Sequence, residues 1–305
     1  MSEIQLWIVG SIGIDDIETP FANRTGLLGG SVTFACAAAS FYTAVGAVGV
    51  VGSDFPPTFL DRYRRFGMDL AGLQTRSGPT FRWSGVYEAD LINRRTLKTE
   101  LGVFADFTPE LPDRFRDAPF VLLGNIGPEL QLHVLDQVRG KPFVALDTMD
   151  LWIRIARPAL EQAIRRADVL TLNDSEARLL TGRHNLIECA HAILAMGPQY
   201  VVIKKGEHGA MLCSSAGLAL IPAYPVEQVV DPTGAGDCFA GAFMGFLART
   251  GARRIDEALI RRALLHGSVV ASFGVEDFST ERLESLKTPD IEKRIDLLRS
   301  MCVSC

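Results

Sequence analysis

Four short apolar runs, Val121 to Leu123, Phe143 to Leu146, Val169 to Leu172 and Tyr200 to Ile203, are separated by stretches of helical character near residues 128–139, 158–167 and 186–196. Short apolar strands alternating with connections of that length read as βαβ units, and such units build a parallel sheet covered by helices. The pattern continues beyond these runs, with an apolar helix from Ala235 to Arg249 and a further one over 255–272. The expected fold class is therefore α/β. At 305 residues and 48% hydrophobic content the chain can bury a large core, so residues 1–305 are expected to form one domain with at most a small appendage.

Bulk properties exclude several partners. A net charge of -5 argues against nucleic acid as the main partner. No run of 18 apolar residues is present, so no membrane span is expected. Met1 to Gln5 lacks a basic leader and runs into an apolar strand, which predicts a cytoplasmic protein. The six cysteines lie at 36, 189, 213, 238, 302 and 305 and read as thiols of a reducing compartment. Cys302 and Cys305 alone have the Cys-x-x-Cys spacing, without a second pair.

The segment Asp231-Pro232-Thr233-Gly234-Ala235-Gly236-Asp237 carries the clearest chemistry. Gly234, Ala235 and Gly236 have almost no side chain, so an oxyanion can come against their backbone. They open the apolar helix that closes at Arg249, and its first turn offers free N–H groups and a positive dipole end. Asp237 beside such an anion site is electrostatically unwelcome unless it accepts a proton. Phosphoryl transfer to an alcohol needs that arrangement.

Other segments line up in order. Gly10-Ser11-Ile12-Gly13-Ile14-Asp15 follows the first strand and ends on a carboxylate, with Asp16 adjacent. Gly29-Gly30 opens an Ala-rich helix from Ser31 to Ser40. Asn173-Asp174-Ser175-Glu176 begins a helix with Asn173 and Glu176 on one face, and equally fits a helix cap. Lys204-Lys205-Gly206-Glu207-His208-Gly209 follows the strand that ends at Ile203. Residues 80–106 are aromatic, polar and β-prone, an antiparallel excursion from the main body.

Taken together, these motifs resemble the PfkB (ribokinase-like) carbohydrate and nucleoside kinases over nearly the whole chain. The resemblance implies a Rossmann-type three-layer sandwich with a mostly parallel central sheet and a small β lid drawn from about 12–25 and 78–106. It implies transfer of the γ-phosphoryl group of ATP to a hydroxymethyl group, with Asp237 as general base and the amides of Ala235, Gly236 and Asp237 as anion hole. By the same resemblance Asp15, Gly29 and Gly30 contact the acceptor, and Phe34 stands where many relatives have Asn. Asn173 and Glu176 order Mg²⁺, Gly206 and Gly209 belong to the nucleotide loop, and Lys204 either reaches a phosphate or points to solvent. His266 lies either beside the purine or in the core. A monovalent cation such as K⁺ is expected near Asp231 and Thr233, and a homodimer through the lid. Arg82, Trp83 and Arg95 are expected at the acceptor from their place in the lid.

The acceptor stays open among sugars, sugar acids, polyols and nucleosides. Two rival classes are a dinucleotide oxidoreductase, whose Gly-x-Gly-x-x-Gly is missing after the first strand, and a catalytically silent binding protein of the same fold, which would be expected to lack the base or an anion-hole glycine. A Walker-type kinase would need Gly-Lys-Ser/Thr, which is absent.

Overall fold

The computed structural model describes residues 3–252 and 254–302. The strands are β1 Leu6–Val9, β2 Gly13–Glu18, β3 Asn23–Gly29, β4 Val45–Gly52, β5 Asp69–Arg76, β6 Phe81–Tyr87, β7 Arg94–Glu100, β8 Phe120–Leu123, β9 Phe143–Asp147, β10 Val169–Asn173, β11 Tyr200–Lys204, β12 Ala210–Ser214 and β13 Gly217–Ile221. The helices are α1 Ser31–Ala39, α2 Pro57–Arg65, α3 Pro128–Leu135, α4 Asp150–Ile155, α5 Arg157–Arg165, α6 Asp174–Thr181, α7 Leu186–Leu194, α8 Ala235–Arg249, α9 Glu257–Gly274, α10 Glu281–Ser285 and α11 Thr288–Met301.

Nine strands form the central sheet in the order β13-β12-β11-β10-β9-β8-β1-β4-β5. Pairing is parallel from β11 to β5, and β12 and β13 add an antiparallel edge. Alternate residues of one strand feed opposite cores, as the period of two requires. Leu6 and Ile8 pack under α1, α8 and α9 on one face, whereas Trp7 and Val9 join the core beneath α3, α5 and α7 on the other. The expected three-layer α/β sandwich is thus present. Helix α8 lies deep in it because it is nearly free of bulk where it meets α1: a Cβ on Gly241 would come within 2.1 Å of the Ala35 carbonyl oxygen.

The second sheet has the order β3-β2-β6-β7 and forms the lid. It draws on more of the first segment than 12–25, since β3 runs to Gly29. It is not wholly antiparallel, because β2 and β6 pair in parallel. The chain leaves the lid after β3, builds α1, β4, α2 and β5 of the main body, and re-enters at the same end. Ile17, Leu27 and Tyr87 of the lid pack with Phe278 and Val230 of the body in a separate small core. No helix among the described residues is long and apolar enough to cross a membrane. Cys302 is an exposed free thiol, and Cys305 lies outside the described residues.

Candidate active site

The site forms at the carboxyl ends of the parallel strands, where α/β sheets place ligands. Helix α8 begins there. Its cap Gly234 is left-handed at φ 75°, ψ 1°, a conformation that favours glycine. The Ala235 amide turns back to the Pro232 carbonyl at 3.2 Å. The amides of Gly236 and Asp237 belong to the first turn, whose N–H groups have no intrahelical acceptor. Two free amides and a helix dipole make an anion cradle.

Next to it lies a half-buried cation. Lys204, the last residue of β11, donates to both carboxylate oxygens of Asp147 at 3.1 and 3.0 Å. A Cβ on Gly236 would lie 3.1 Å from its Nζ, so the ammonium rests on the anion cradle. Burial pulls the ammonium pKa down, but Asp147 and Glu176 outweigh it and the net displacement is upward. Asp237, half-buried at the third position of α8, has its carboxyl pushed up to about 7 by burial and by Asp147, against the opposing pull of Lys204 and Arg94. A carboxyl in that range accepts a proton at neutral pH with useful driving force.

On the lid side, Asp15 is 4% exposed and its carboxylate lies over the Cα of Gly29, where a Cβ would come within 1.9 Å. Burial, then the negative charges of Asp231, Asp16 and Asp237, push its pKa up to about 8. The neighbouring Asp16 faces the other way and accepts from the Gly26 amide at 2.8 Å, which assigns the inward carboxylate to Asp15. Trp83 sits opposite Asp15 in the β2–β6 register. Tyr87, on the same face of β6, accepts a hydrogen bond from the Thr233 hydroxyl at 3.0 Å and so ties the lid to the turn before α8. Asp231 keeps one buried carboxylate oxygen without a partner among the described residues, while the other accepts from the Thr233 amide at 2.9 Å.

Asn173 and Glu176 form a capping box on α6. The Glu176 amide donates to Asn173 Oδ1 at 2.8 Å, and the Asn173 amide to one Glu176 oxygen at 2.7 Å. Burial lifts the Glu176 carboxyl to about 7, opposed by Lys204. Beyond Lys204, Gly206 and Gly209 line a cavity of about 500 Å³ with Ala235, Gly236 and Phe239. Its far walls are Tyr224 to Val226 and Ser268 to Val275, and the lid hairpin at Leu91 closes over it.

Several expected residues lie elsewhere. Phe34 is 2% exposed with its ring directly under Gly234, so it supports the turn rather than lining an open pocket. Arg82 points to the face of β6 opposite Trp83 and pairs with Asp54 at 3.1 Å. Arg95 faces with Arg82, because Arg95 is registered with Val86, whereas Arg94 is registered with Tyr87 and faces the site. The Arg94 guanidinium lies 5.8 Å from the Trp83 ring centroid, and its charge acts on both Asp237 and Glu176. His266 is stacked on Phe246 at 4.0 Å and accepts or donates at Nδ1 to the Tyr42 hydroxyl at 3.1 Å, away from the cavity. Burial, then Arg249 and Arg262, lower its pKa to about 4, as suits a neutral, half-buried histidine.

Sequence reasoning missed Asp147, Tyr87 and Arg94. A positional signal existed for the first, since Asp147, Asn173 and Lys204 are the last residues of three adjacent parallel strands. For Tyr87 the signal was the period of two counted from Trp83, whereas Arg94 is brought to that face only by the β6–β7 register.

Against known proteins, residues 129–285 match the model of the pfkB family carbohydrate kinases. A cytidine kinase of Thermococcus kodakarensis is 29% identical over 254 residues, covering 81% of this chain and 89% of that protein. Among solved structures, a Burkholderia thailandensis nucleoside kinase in complex with inosine superposes with a TM-score of 0.76 at 19% identity, covering 97% of this chain and 99% of that one. An Arabidopsis thaliana ribokinase complexed with ribose and ATP gives 0.75 at 21% identity over 97% and 99%.

Proposed function

The chain belongs to the pfkB family of carbohydrate kinases, ATP-using phosphotransferases with an alcohol acceptor, and from that premise we propose that residues 1–305 work as one unit that phosphorylates the hydroxymethyl group of a ribonucleoside. The observation that carries the transfer chemistry is the placement of Asp237 beside free helix amides and the half-buried Lys204 ammonium. Asp237 takes the proton of the attacking hydroxyl as the oxygen bonds to the γ-phosphorus and ADP leaves. The amides of Gly236 and Asp237 receive the charge of the moving phosphoryl group, while that of Ala235 stays on the Pro232 carbonyl, and Lys204 adds a point charge on the same side.

The cavity bounded by Gly206, Gly209 and the α9 face from Ser268 to Val275 suits the nucleoside end of ATP. Mg²⁺ fits the carboxylate oxygen of Glu176 that the capping box leaves open, with Asn173 beside it and water completing a hard-oxygen shell. Bound there, Mg²⁺ would neutralise phosphate charge. A monovalent cation such as K⁺ fits the unpartnered buried oxygen of Asp231 next to Thr233.

Two features favour a nucleoside over a free sugar. Asp15 can accept from vicinal hydroxyls, and the flat Trp83 ring next to it in register offers an apolar face for a base. The cytidine kinase similar over most of this chain supports the same choice. A silent regulator is disfavoured, since Gly234, Gly236 and Asp237 are all present. We also propose a homodimer through the outer lid strand β7, which is exposed along its whole length; sedimentation of the wild type at micromolar concentration tests it, and a monomer refutes it. The acceptor is tested by comparing kcat/KM for cytidine, inosine and ribose. Cytidine or inosine is expected to exceed ribose by at least about tenfold, as a site built around a base requires. Preference for ribose would overturn the nucleoside assignment while leaving the kinase intact.

A further inference from the structure

We propose that Asp147 is a positioning residue for phosphoryl transfer, holding the Lys204 ammonium against the anion cradle and away from the base. The proposal rests on the reading that the first turn of α8 receives the moving phosphoryl group.

Asp147 ends β9 and is 5% exposed. Its two carboxylate oxygens both accept from Lys204 Nζ, and one of them also accepts from the Thr148 amide at 3.1 Å. Its backbone carbonyl is held in turn by Gln131 Nε2 at 3.1 Å, and the same amide nitrogen donates to the Gly124 carbonyl at 2.9 Å. The carboxylate is therefore fixed on main-chain and side-chain sides alike. Lysine reaches its position on a flexible four-carbon arm, so a fixed partner decides where its charge sits.

That decision matters because three carboxylates compete for one ammonium. The charges of Asp147, Glu176 and Asp237 all act on Lys204, yet among the described residues only Asp147 is bonded to it. Released from Asp147, the ammonium would be drawn to Asp237 or Glu176. On Asp237 it would stabilise the carboxylate and weaken it as a proton acceptor. Held as it is, Lys204 uses two of its three N–H donors on Asp147 and keeps one for an anion at Gly236. The pair thus pre-sets a positive charge where negative charge arrives, with no rearrangement at the moment of reaction.

The test is a double-mutant cycle of Asp147→Asn, Lys204→Met and the two together, with Asp147→Glu as the conservative variant. Steady-state kinetics supplies kcat and both KM values, and calorimetry supplies the affinities of ADP and a non-hydrolysable ATP analogue. Asp147→Asn is expected to lower kcat about 10- to 100-fold while the acceptor KM moves less than about twofold. The double variant should be no slower than Lys204→Met alone, because Asp147 acts through the lysine. Affinity for the ATP analogue should fall by at least about tenfold relative to ADP in Asp147→Asn and be partly restored in Asp147→Glu. If Asp147→Asn fails to fold, the charge-free double variant compared with Lys204→Met decides the question by itself. Multiplying losses in the cycle, or unchanged discrimination between the analogue and ADP, would overturn the proposal. If the wild type transfers no phosphate, the kinase reading fails separately, and the calorimetric comparison still judges the Asp147–Lys204 pair.

Discussion

Replacing Gly234 by alanine strikes the anion cradle through packing alone. At φ 75° the residue is left-handed, which costs an alanine about 1–2 kcal/mol. The added Cβ would stand 2.3 Å from Cγ and Cδ2 of Phe34, where ordinary contact begins near 3.4 Å, so about 1 Å of movement is required. The Phe34 ring is 2% exposed within the core between α1 and α8 and has little room to yield. The turn must therefore move, and with it the amides of Gly236 and Asp237. A displacement of about 1 Å at reacting groups costs on the order of 10²-fold in rate. A coupled ADP-release assay should show kcat reduced about 100-fold with the acceptor KM little changed, and calorimetry a Tm lower by several degrees. Phe34→Ala placed in the Gly234→Ala background clears the ring but not the backbone strain. It should recover about tenfold in kcat although Phe34→Ala alone removes about 3–5 kcal/mol of stability. A Gly234→Ala enzyme within threefold of wild type, or a double variant slower than Gly234→Ala, would show that the Phe34 ring does not hold the turn in place.

Other outcomes follow from the charges. With the Asp237 carboxyl near 7 and its ionised form needed as base, kcat/KM should rise with pH through about 7 along a single ionisation, and a flat profile from pH 5.5 to 8.5 would remove that assignment. The Asp15 carboxyl titrates near 8 when folded against an ordinary 3.8, so the native state holds more protons in that window and stability falls as pH rises across it. Asp15→Asn should therefore melt several degrees above wild type at pH 9 and nearly with it at pH 5, while raising the acceptor KM at least about tenfold; equal melting at pH 9 would contradict the burial argument. Tyr87→Phe removes the hydrogen bond to Thr233 at 3.0 Å and should lower kcat about 3- to 10-fold while speeding proteolysis at the lid hairpin; unchanged values for both would dissociate the lid from the turn. Exchange of potassium for tetramethylammonium should cut kcat, and equal rates would argue against a cation at Asp231.

Much of this architecture was legible because its signals are local. The apolar runs at 121–123, 143–146, 169–172 and 200–203 sit within observed strands, and Ala235 to Arg249 is the helix as read. The helix near 128–139 stops at Leu135, since four polar or turn-forming residues among 136–140 leave little apolar surface to bury. The parallel β2–β6 pairing was not legible, because it depends on where the chain re-enters the lid after crossing the main body. Lid side chains fared worst. A strand's facing inverts with every residue, so reading Arg95 for Arg94 reverses its face. His266 and Phe34 share a different cause: both lie on helices buried on more than one side, where sequence alone does not say which neighbour claims the ring. Asp147 gave no motif at all, and its importance arises only when β9 and β11 bring it to Lys204.

If Asp237 drives phosphoryl transfer from ATP to a hydroxymethyl group, its replacement must stop the chemistry without stopping ATP binding. The most direct measurement is ADP release with Mg-ATP across ribonucleosides, sugars, sugar acids and polyols, wild type beside Asp237→Asn, with product phosphate located by NMR. One acceptor is expected to be phosphorylated on its hydroxymethyl oxygen, with a loss of about 10²- to 10⁴-fold in Asp237→Asn and ATP affinity retained. Turnover within threefold of wild type in that variant, or no phosphorylated acceptor from a wild type that binds ATP, would contradict it.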